Sequence, residues 1–454
     1  MDTSQLIRKY NVAAPRYTSY PTVPFWDQQS WSPKQWIELV EEVQKENSKK
    51  EISIYIHLPF CESLCTYCGC NTRITKNHGV EKPYIDTLLK EWNLYKQHLG
   101  EDIVLSDVHL GGGTPTFFNP ENLAFLIKGI TNGCTISENA EFSFEAHPAN
   151  TTKEHLTILY NLGFRRLSLG IQDFDPKVQE VINRKQSPAD VIRVMHQARR
   201  LGFTSINFDL IYGLPLQSLF NIQDTINMAL AMNPDRISFY SYAHVPWVKP
   251  GQRKFTELDL PDNEEKLRLY ETGKKLIQEA GYIDIGMDHF GLPKDGLSVA
   301  AKRGRLHRNF MGYTDRHAPL LIGLGVSSIS DAWRGFAQNV KKVEEYIDLV
   351  NKGEIPVFKG HILTEEDLFI RQHILNIMCK GNTVLNKKGK HYEAILKRLE
   401  PLVMDGLVSV NHDHLMVTSL GKSFLRNICM AFDERLVHQL ENNQSESPIF
   451  SKSV

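Results

Sequence analysis

The sequence predicts an α/β fold with a partial (β/α)6 TIM-like barrel, joined to an N-terminal extension and a mostly helical, winged-helix-like C-terminal domain. Three observations support this prediction. Short runs rich in β-branched and aromatic residues recur along the first two thirds of the chain, segments with apolar residues three and four apart separate them, and polar residues follow the runs. Alternating strands and helices are typical of right-handed βαβ units and therefore of a parallel sheet.

Six runs are predicted as the strands of the barrel. In chain order they are ISIYIHLP (52–59), DVHLGGG (107–113), EFSFEAHP (141–148), RRLSLGIQDF (165–174), SINFDLIYGLP (205–215) and RISFYSYAHVP (236–246). Two of the intervening segments, 152–163 and 188–202, show clear helical periodicity and end in Gly, which is the usual helix stop.

Polar residues end all six predicted strands. Because the carboxyl ends of parallel strands meet at one face of a barrel, we expect these side chains to converge on one site. They are His57 and the cysteines that follow it, GGGTPT (111–116), Glu145 and His147, Gln172 and Asp173, Asp209 and Tyr212, and Tyr242 and Ala243.

The pattern changes after about residue 360. The segments that follow predict a helix with an acidic first turn, then helix, hairpin and helix, an order that resembles a winged helix. Basic and acidic residues nearly balance there, so a lid or packing domain is favoured over nucleic-acid contact. The predicted division is 1–45 as an extension that contributes to the substrate site, 46–360 as the catalytic barrel, 361–440 as the lid and 441–454 as a flexible tail.

Charge and composition exclude several functional classes. The 454-residue chain has a formal net charge of -1, which argues against a general nucleic-acid binder or a polybasic membrane protein. The N-terminus has no apolar core of a signal peptide, and no stretch is apolar enough to span a membrane. We therefore expect a cytoplasmic protein, in which clustered thiols bind metal or do redox chemistry rather than form disulfides.

Four of the seven cysteines lie within ten residues. Cys61, Cys65 and Cys68 have C-x3-C-x2-C spacing, and Cys70 follows after one glycine. A structural zinc site usually joins two separated knuckles, whereas an iron–sulfur cubane can be held by three cysteines of one loop with one iron left open. The spacing favours the cluster and leaves a zinc knuckle or a thiol switch as alternatives.

The chain resembles the radical S-adenosylmethionine (SAM) enzymes in this cysteine loop, in the aromatic Tyr67 before its last cysteine, in the glycine-rich GGGTPT and in the partial barrel. Within that superfamily the resemblance is to the oxygen-independent coproporphyrinogen III oxidases, also called coproporphyrinogen dehydrogenases. It spans roughly residues 10–435 and is carried by RYTSYPT, the CGC ending of the cysteine loop, RLSLGIQDF, NFDLIYGLP, NPDRISFYSYAHVP, GMDHF and LHRNFMGYT.

The resemblance implies two cofactors, a [4Fe–4S] cluster and SAM, with a second SAM nearby. Cys61, Cys65 and Cys68 would be the metal ligands, and Arg184 would pair with the carboxylate of SAM. The remaining implied cofactor contacts are Tyr55, Tyr67, Gly112, Gly113, Thr114, Glu145, Gln172, Asp209, Ala243 and Ile329. Cys70 and His57 are the candidate catalytic residues on the substrate side.

The implied reaction is part of haem biosynthesis. Reductive cleavage of SAM would give a 5′-deoxyadenosyl radical that removes hydrogen from a substrate propionate. Loss of CO2 and one electron would then leave a vinyl group, and two such rounds would convert coproporphyrinogen III into protoporphyrinogen IX. An electron donor such as flavodoxin or ferredoxin, an unidentified final electron acceptor, a monomeric state and no nucleic-acid partner complete the expectation.

Three residues depart from the family pattern, two at the rim beside the cofactor (His147 and Ala149) and one near the second SAM (Met311). His147 stands where the family usually has Asp, Ala149 where it usually has Arg, and Met311 where Gln is common. A haem chaperone or haem-binding protein of the same fold is the alternative function, although Cys70 and the RYTSYP segment argue against it.

Overall fold

A twelve-stranded sheet forms the centre of the protein in the computed structural model, which describes residues 3–26, 31–247, 249–387, 389–441 and 450–452. The strands of the described residues are β1 (Glu51–Leu58), β2 (Phe60–Cys61), β3 (Arg73–Ile74), β4 (Val104–Gly112), β5 (Thr135–Ala146), β6 (Phe164–Gln172), β7 (Ser205–Tyr212), β8 (Arg236–Ser241), β9 (Ile283–Gly286), β10 (His289–Gly291), β11 (His307–Asn309), β12 (Gly312–Thr314), β13 (Leu320–Leu324), β14 (Ile329–Asp331), β15 (Gly335–Asn339), β16 (Val357–Ile362), β17 (Asn382–Val384), β18 (Val408–Asn411) and β19 (His414–Val417).

Helices cover the sheet and build the C-terminal region. The α-helices of the described residues are α1 (Thr3–Tyr10), α2 (Pro33–Glu46), α3 (Glu81–Leu99), α4 (Pro120–Thr131), α5 (Lys153–Asn161), α6 (Pro176–Val181), α7 (Pro188–Leu201), α8 (Leu219–Ala231), α9 (Asn263–Glu279), α10 (Gly296–Lys302), α11 (Val343–Asn351), α12 (Glu365–Lys380), α13 (Tyr392–Met404), α14 (Leu425–Met430) and α15 (Glu434–Glu441).

The predicted parallel barrel strands are confirmed. The sheet order is β16-β15-β14-β13-β1-β4-β5-β6-β7-β8-β10-β9, and β1 and β4 to β8 run parallel to their neighbours in this series. The sheet does not close, because its edges are β16 and β9. The sequence did not predict β13, which pairs in parallel with β1, nor the antiparallel strands that extend both sides.

Period-two alternation gives the barrel a polar inner face. Along β7, Ile206, Phe208 and Leu210 are fully buried against the helix layer, while Asn207 and Asp209 between them line a central cavity. Successive side chains of a strand point to opposite faces, so the same strands supply both the core and the site.

The two helices predicted most clearly begin and end as expected. The Ser187 side chain caps α7 in a capping box with Asp190, and Gly202 ends this helix with φ 104° in the left-handed region. The Thr152 side chain caps α5 in the same way, with His155 as its partner. The local chemistry of these segments is therefore sufficient to set the helix bounds.

The C-terminal region has the predicted order of helix, helix, hairpin and helix. The side chain of Thr364 caps α12, and α13 and α14 flank the β18–β19 hairpin, which β17 extends to three strands. A second hydrophobic cluster joins these helices to the N-terminal segment, with Leu6 and Tyr17 packed among Ile370, Leu399 and Phe424. The N-terminal extension thus packs on the predicted lid.

No helix in the described ranges has the length and apolarity needed to cross a membrane. The predicted flexible tail lies largely outside the described residues, at 442–449 and 453–454. Within its described part, Lys452 forms an antiparallel bridge with Ala13.

Candidate functional site

A cavity of about 570 Å³ opens at the carboxyl ends of the barrel strands and extends inward between them. Most of the predicted site residues line it. They are Cys61, Cys65, Tyr67, Cys68, Cys70, Gly112, Gly113, Thr114, Glu145, Gln172, Arg184 and Asp209. Polar ends of successive parallel strands therefore do meet at one mouth, as the topology requires.

The cysteine loop is fixed at its base and at its middle. Cys61 ends β2, which pairs in parallel with β3, so the two ends of the loop are held together. In the middle of the loop, the Thr66 backbone N–H donates to the Ile182 carbonyl at 2.9 Å and its hydroxyl donates to the Val181 carbonyl at 3.0 Å. These contacts tie the loop to the end of α6.

The three predicted ligands have different polar neighbours. The Cys61 Sγ lies 3.3 Å from the Thr114 hydroxyl, the Cys65 Sγ lies 3.7 Å from Arg184 Nη1, and the Cys68 Sγ accepts from the Cys70 backbone N–H at 3.4 Å. None of these thiols forms a disulfide. Burial raises the pKa of Cys61 to about 11, whereas the hydrogen bond from the Cys70 thiol lowers the pKa of Cys68.

This donor set suits a multi-iron cluster. Three free thiols of one anchored loop line the same cavity. Across the described ranges, no group of three or more His, Cys, Asp or Glu side chains is placed to hold one metal ion. A cubane does not require such convergence, because each thiolate binds its own iron.

Close backbone approach explains the glycine motif. A Cβ atom at Gly113 would lie 2.6 Å from the Pro59 carbonyl oxygen, so only Gly lets the two segments touch. Their contact is a hydrogen bond of 2.9 Å from the Gly113 N–H to the Leu58 carbonyl. Gly112 has φ 113°, and its N–H donates to Glu145 Oε2 at 3.2 Å.

Two carboxylates face the cavity with different protonation behaviour. Burial acts to raise the pKa of Glu145, but hydrogen bonding and charge interaction with His109 lower it below its usual value. Burial raises the pKa of Asp209 to about 6, although the Ser168 hydroxyl and the Asn207 amide both donate to its carboxylate at 2.8 Å. At neutral pH both groups are acceptors for hydroxyl or ammonium donors.

Arg184 is the positive group beside the cysteine loop. Its Nε and Nη2 donate to the Gly170 carbonyl at 3.2 and 2.6 Å, an approach that a Cβ atom at 170 would obstruct. Burial acts to lower the pKa of Arg184, but Tyr67 and the Cys65 thiol raise it above its usual value. One N–H of each terminal nitrogen is left for a ligand.

Four of the implied cofactor and catalytic residues do not line the cavity, namely Tyr55, His57, Ala243 and Ile329. Both ring nitrogens of His57 are engaged, with Nε2 2.9 Å from the Asn71 carbonyl and Nδ1 3.1 Å from the Tyr55 hydroxyl. The Ala243 carbonyl accepts from Gln252, which also donates to the Tyr67 carbonyl. Ile329 packs against Trp26 and Phe336.

The prediction that Asp173, Tyr212 and Tyr242 also converge on this cavity is wrong, since none of the three lines it. Asp173 is fully buried instead, and its carboxylate accepts from Gln217 and Thr225.

Sequence reasoning missed several polar residues of the inner face. His109 contacts Glu145 Oε1 at 3.5 Å, and Ser168 and Asn207 hold Asp209. Each lies inside a strand rather than at its end. The signal that could have found them is the polar half of the alternating pattern in β4, β6 and β7.

Comparison with known proteins places this geometry in context. Residues 55–229 match the Radical SAM superfamily. An oxygen-independent coproporphyrinogen III oxidase from Synechocystis sp. is 37% identical over 100% of this chain and 98% of its own length, and the Escherichia coli protein of the same name is 37% identical over 95% of each chain. A solved structure of the Escherichia coli coproporphyrinogen III oxidase, described as a radical SAM enzyme, has a TM-score of 0.87 at 35% identity and covers 95% of this chain and 98% of that chain.

Proposed function

The chain belongs to the oxygen-independent coproporphyrinogen III oxidases of the radical SAM superfamily, and we propose that it converts two propionates of coproporphyrinogen III into the vinyl groups of protoporphyrinogen IX. Full-length similarity carries this proposal, together with a cavity in which the C-x3-C-x2-C loop, the glycine turn and Arg184 meet. The reaction is oxidative, because each propionate loses one hydrogen, one CO2 and one electron.

The [4Fe–4S] cluster and SAM supply the radical when they are bound. Cys61, Cys65 and Cys68 would hold the cluster, since all three are free and face the cavity. The low pKa of Cys68 favours its thiolate, the form that binds iron. The β2–β3 pair keeps the loop in place for all three ligands.

The charged cavity residues would orient SAM. Arg184 can form two parallel hydrogen bonds with the carboxylate, a geometry that Lys cannot reproduce. Glu145 and Asp209 would accept from the amino group and the ribose hydroxyls, with Gln172 and Thr114 as further polar contacts. A second SAM molecule, enclosed with the help of Tyr67, Ala243 and Ile329, is part of the same proposal.

His57 and Tyr55 would act by positioning. Both residues lie in β1, and the Tyr55 hydroxyl is hydrogen-bonded to Nδ1 of His57. Nε2 of His57 is in turn hydrogen-bonded to the carbonyl of Asn71, the residue directly after Cys70. A neutral His57 suits this arrangement, because burial lowers its pKa. Cys70 lines the cavity itself and would contact the substrate.

The proposed reaction requires two partners besides the substrate, namely an electron donor and an electron acceptor. One electron must enter the cluster for each radical formed, so we propose a flavodoxin or ferredoxin as donor, and each decarboxylation passes one electron to a final acceptor that is unidentified. A monomeric state, the absence of a nucleic-acid partner and a cytoplasmic location stay predictions.

Anaerobic reconstitution tests the proposed function. The protein is loaded with iron and sulfide, reduced, and given SAM and coproporphyrinogen III. We expect 5′-deoxyadenosine and protoporphyrinogen IX, with both lost in Cys65→Ser and both kept in Cys134→Ser, a control thiol outside the cavity. Absence of both products in the unaltered protein would refute the proposal.

A further inference from the structure

We propose that His147 donates a hydrogen bond from Nε2 to the same ligand carboxylate that Arg184 binds. His147 follows β5 directly and lines the cavity together with Arg184. This inference rests on the proposed function, because the carboxylate is that of the methionine part of SAM.

A tight turn fixes the His147 side chain. The Ala149 N–H donates to Nδ1 at 3.2 Å, and the Asn150 and Thr151 N–H groups both donate to the His147 carbonyl at 3.1 Å. The Thr151 hydroxyl donates to the same carbonyl at 2.8 Å. The imidazole is thus held on a rigid turn rather than on a free loop.

The turn also determines the tautomer. Because Nδ1 accepts from a backbone N–H, the proton of the neutral ring must be on Nε2. Burial, and next the charge of Arg184, lower the pKa of His147 to about 3, so the ring is neutral at physiological pH. Among the described residues, none accepts a hydrogen bond from Nε2.

The surroundings select an anionic acceptor. Arg184 keeps two N–H groups free after its contacts with Gly170 and Cys65, whereas Lys185, which lines the same cavity, is already paired with Glu180 at 3.5 Å. The nearby acid, Asp190, is already engaged by the backbone and the hydroxyl of Ser187. A guanidinium and a neutral N–H donor that line one cavity, close enough for the charge of Arg184 to act on His147, match the two oxygens of a carboxylate.

Two variants separate the donor from the turn. In His147→Asn the amide oxygen can replace Nδ1 as the acceptor for Ala149, but nothing replaces Nε2. In His147→Gln the terminal amide can reach the Nε2 position and donate, while the turn loses its acceptor. His196→Asn, on the exposed face of α7, is the control.

The probes are S-adenosylhomocysteine, which has the carboxylate, and 5′-methylthioadenosine, which lacks it. Their dissociation constants are measured by calorimetry on cluster-loaded protein. We expect His147→Asn to raise the dissociation constant of S-adenosylhomocysteine by about 10-fold, which is the contribution of one hydrogen bond to a charged group. The dissociation constant of 5′-methylthioadenosine should stay within about two-fold of that of the unaltered protein. His147→Gln should bind S-adenosylhomocysteine nearly as the unaltered protein does, with a lower melting temperature.

Equal weakening of both probes, or no weakening of either in His147→Asn, would overturn the assignment while the proposed function stands. If the unaltered protein binds neither probe, the proposed function fails and the inference fails with it.

Discussion

Replacing Gly113 by Ala should disturb the site through the backbone alone. The added Cβ atom would lie 2.6 Å from the Pro59 carbonyl oxygen, and an ordinary contact begins near 3.4 Å, so the two segments must separate by about 0.8 Å. Overpacking of this kind costs about 1–3 kcal/mol, and ligand sites tolerate misplacements of only about 0.5 Å. Because Pro59 precedes the cysteine loop, the displacement reaches Cys61 directly.

Gly69→Ala is the matched control. Gly69 lines the same cavity, between Cys68 and Cys70, yet a Cβ atom there would meet nothing within 4 Å. After anaerobic reconstitution, iron and acid-labile sulfide content and the dissociation constant for S-adenosylhomocysteine are measured for both variants. We expect lower cluster content or about 10-fold weaker binding in Gly113→Ala only, since 10-fold corresponds to about 1.4 kcal/mol. Normal values for both quantities in Gly113→Ala would refute the close-approach reasoning.

Three further substitutions test individual side chains. Cys70→Ser should keep the cluster's iron content and 5′-deoxyadenosine formation while protoporphyrinogen formation falls, because Cys70 lines the cavity and we propose the other three thiols of the loop as the ligands. Loss of iron would show that Cys70 is a ligand. Arg184→Lys should weaken the binding of S-adenosylhomocysteine about 10-fold at unchanged iron content, since Lys cannot form the bidentate pair, and equal affinity would contradict that role. Arg200→Lys, at an exposed position of α7 outside the cavity, is its control. Asp209→Asn removes a carboxyl whose pKa is raised from 3.8 to about 6 in the folded protein. Because this carboxyl ionises less readily when folded than when unfolded, it destabilises the native state increasingly as pH rises from about 4 to 6. The variant's free energy of unfolding relative to the parent should therefore increase by up to about 3 kcal/mol between about pH 4 and 7, and a pH-independent difference in urea unfolding would argue against the shift.

Patterning was enough to predict the parallel strands and the winged-helix-like region. The six strands are short β-rich runs separated by helical patterns, and Gly163 and Gly202 follow α5 and α7 as the sequence indicates. β13 was not predicted, although it lies beside β1. Its sequence, LLIGL, is a short apolar run without alternation, and such runs do not reveal which strand they will pair with.

Residue types predicted the candidate site better than they predicted its internal contacts. The three spaced cysteines, Gly112 and Gly113 of the glycine motif, and the strand-end carboxylates Glu145 and Asp209 line one cavity, whereas the strand-end carboxylate Asp173 does not. The engagement of both His57 nitrogens could not be read from the sequence, because it depends on Asn71 lying fourteen residues away across the loop. The support of Asp209 by Ser168 similarly depends on the register of β6 against β7.

The polar inner face of the barrel carries buried charged groups whose desolvation opposes folding. Asp209, Glu145 and Arg184 are each placed where burial opposes their charged forms. Ser168 and Asn207 donate to Asp209, and the Gly112 N–H donates to Glu145 beside His109. Arg184 donates to the Gly170 carbonyl and to the Cys65 thiol. A ligand that brings an ammonium, hydroxyls and a carboxylate would complete these partial networks at once. Buried polar groups would favour such a ligand, because each group left without a partner carries a desolvation penalty. The alternation that builds the barrel core therefore also builds the polar lining of its cavity.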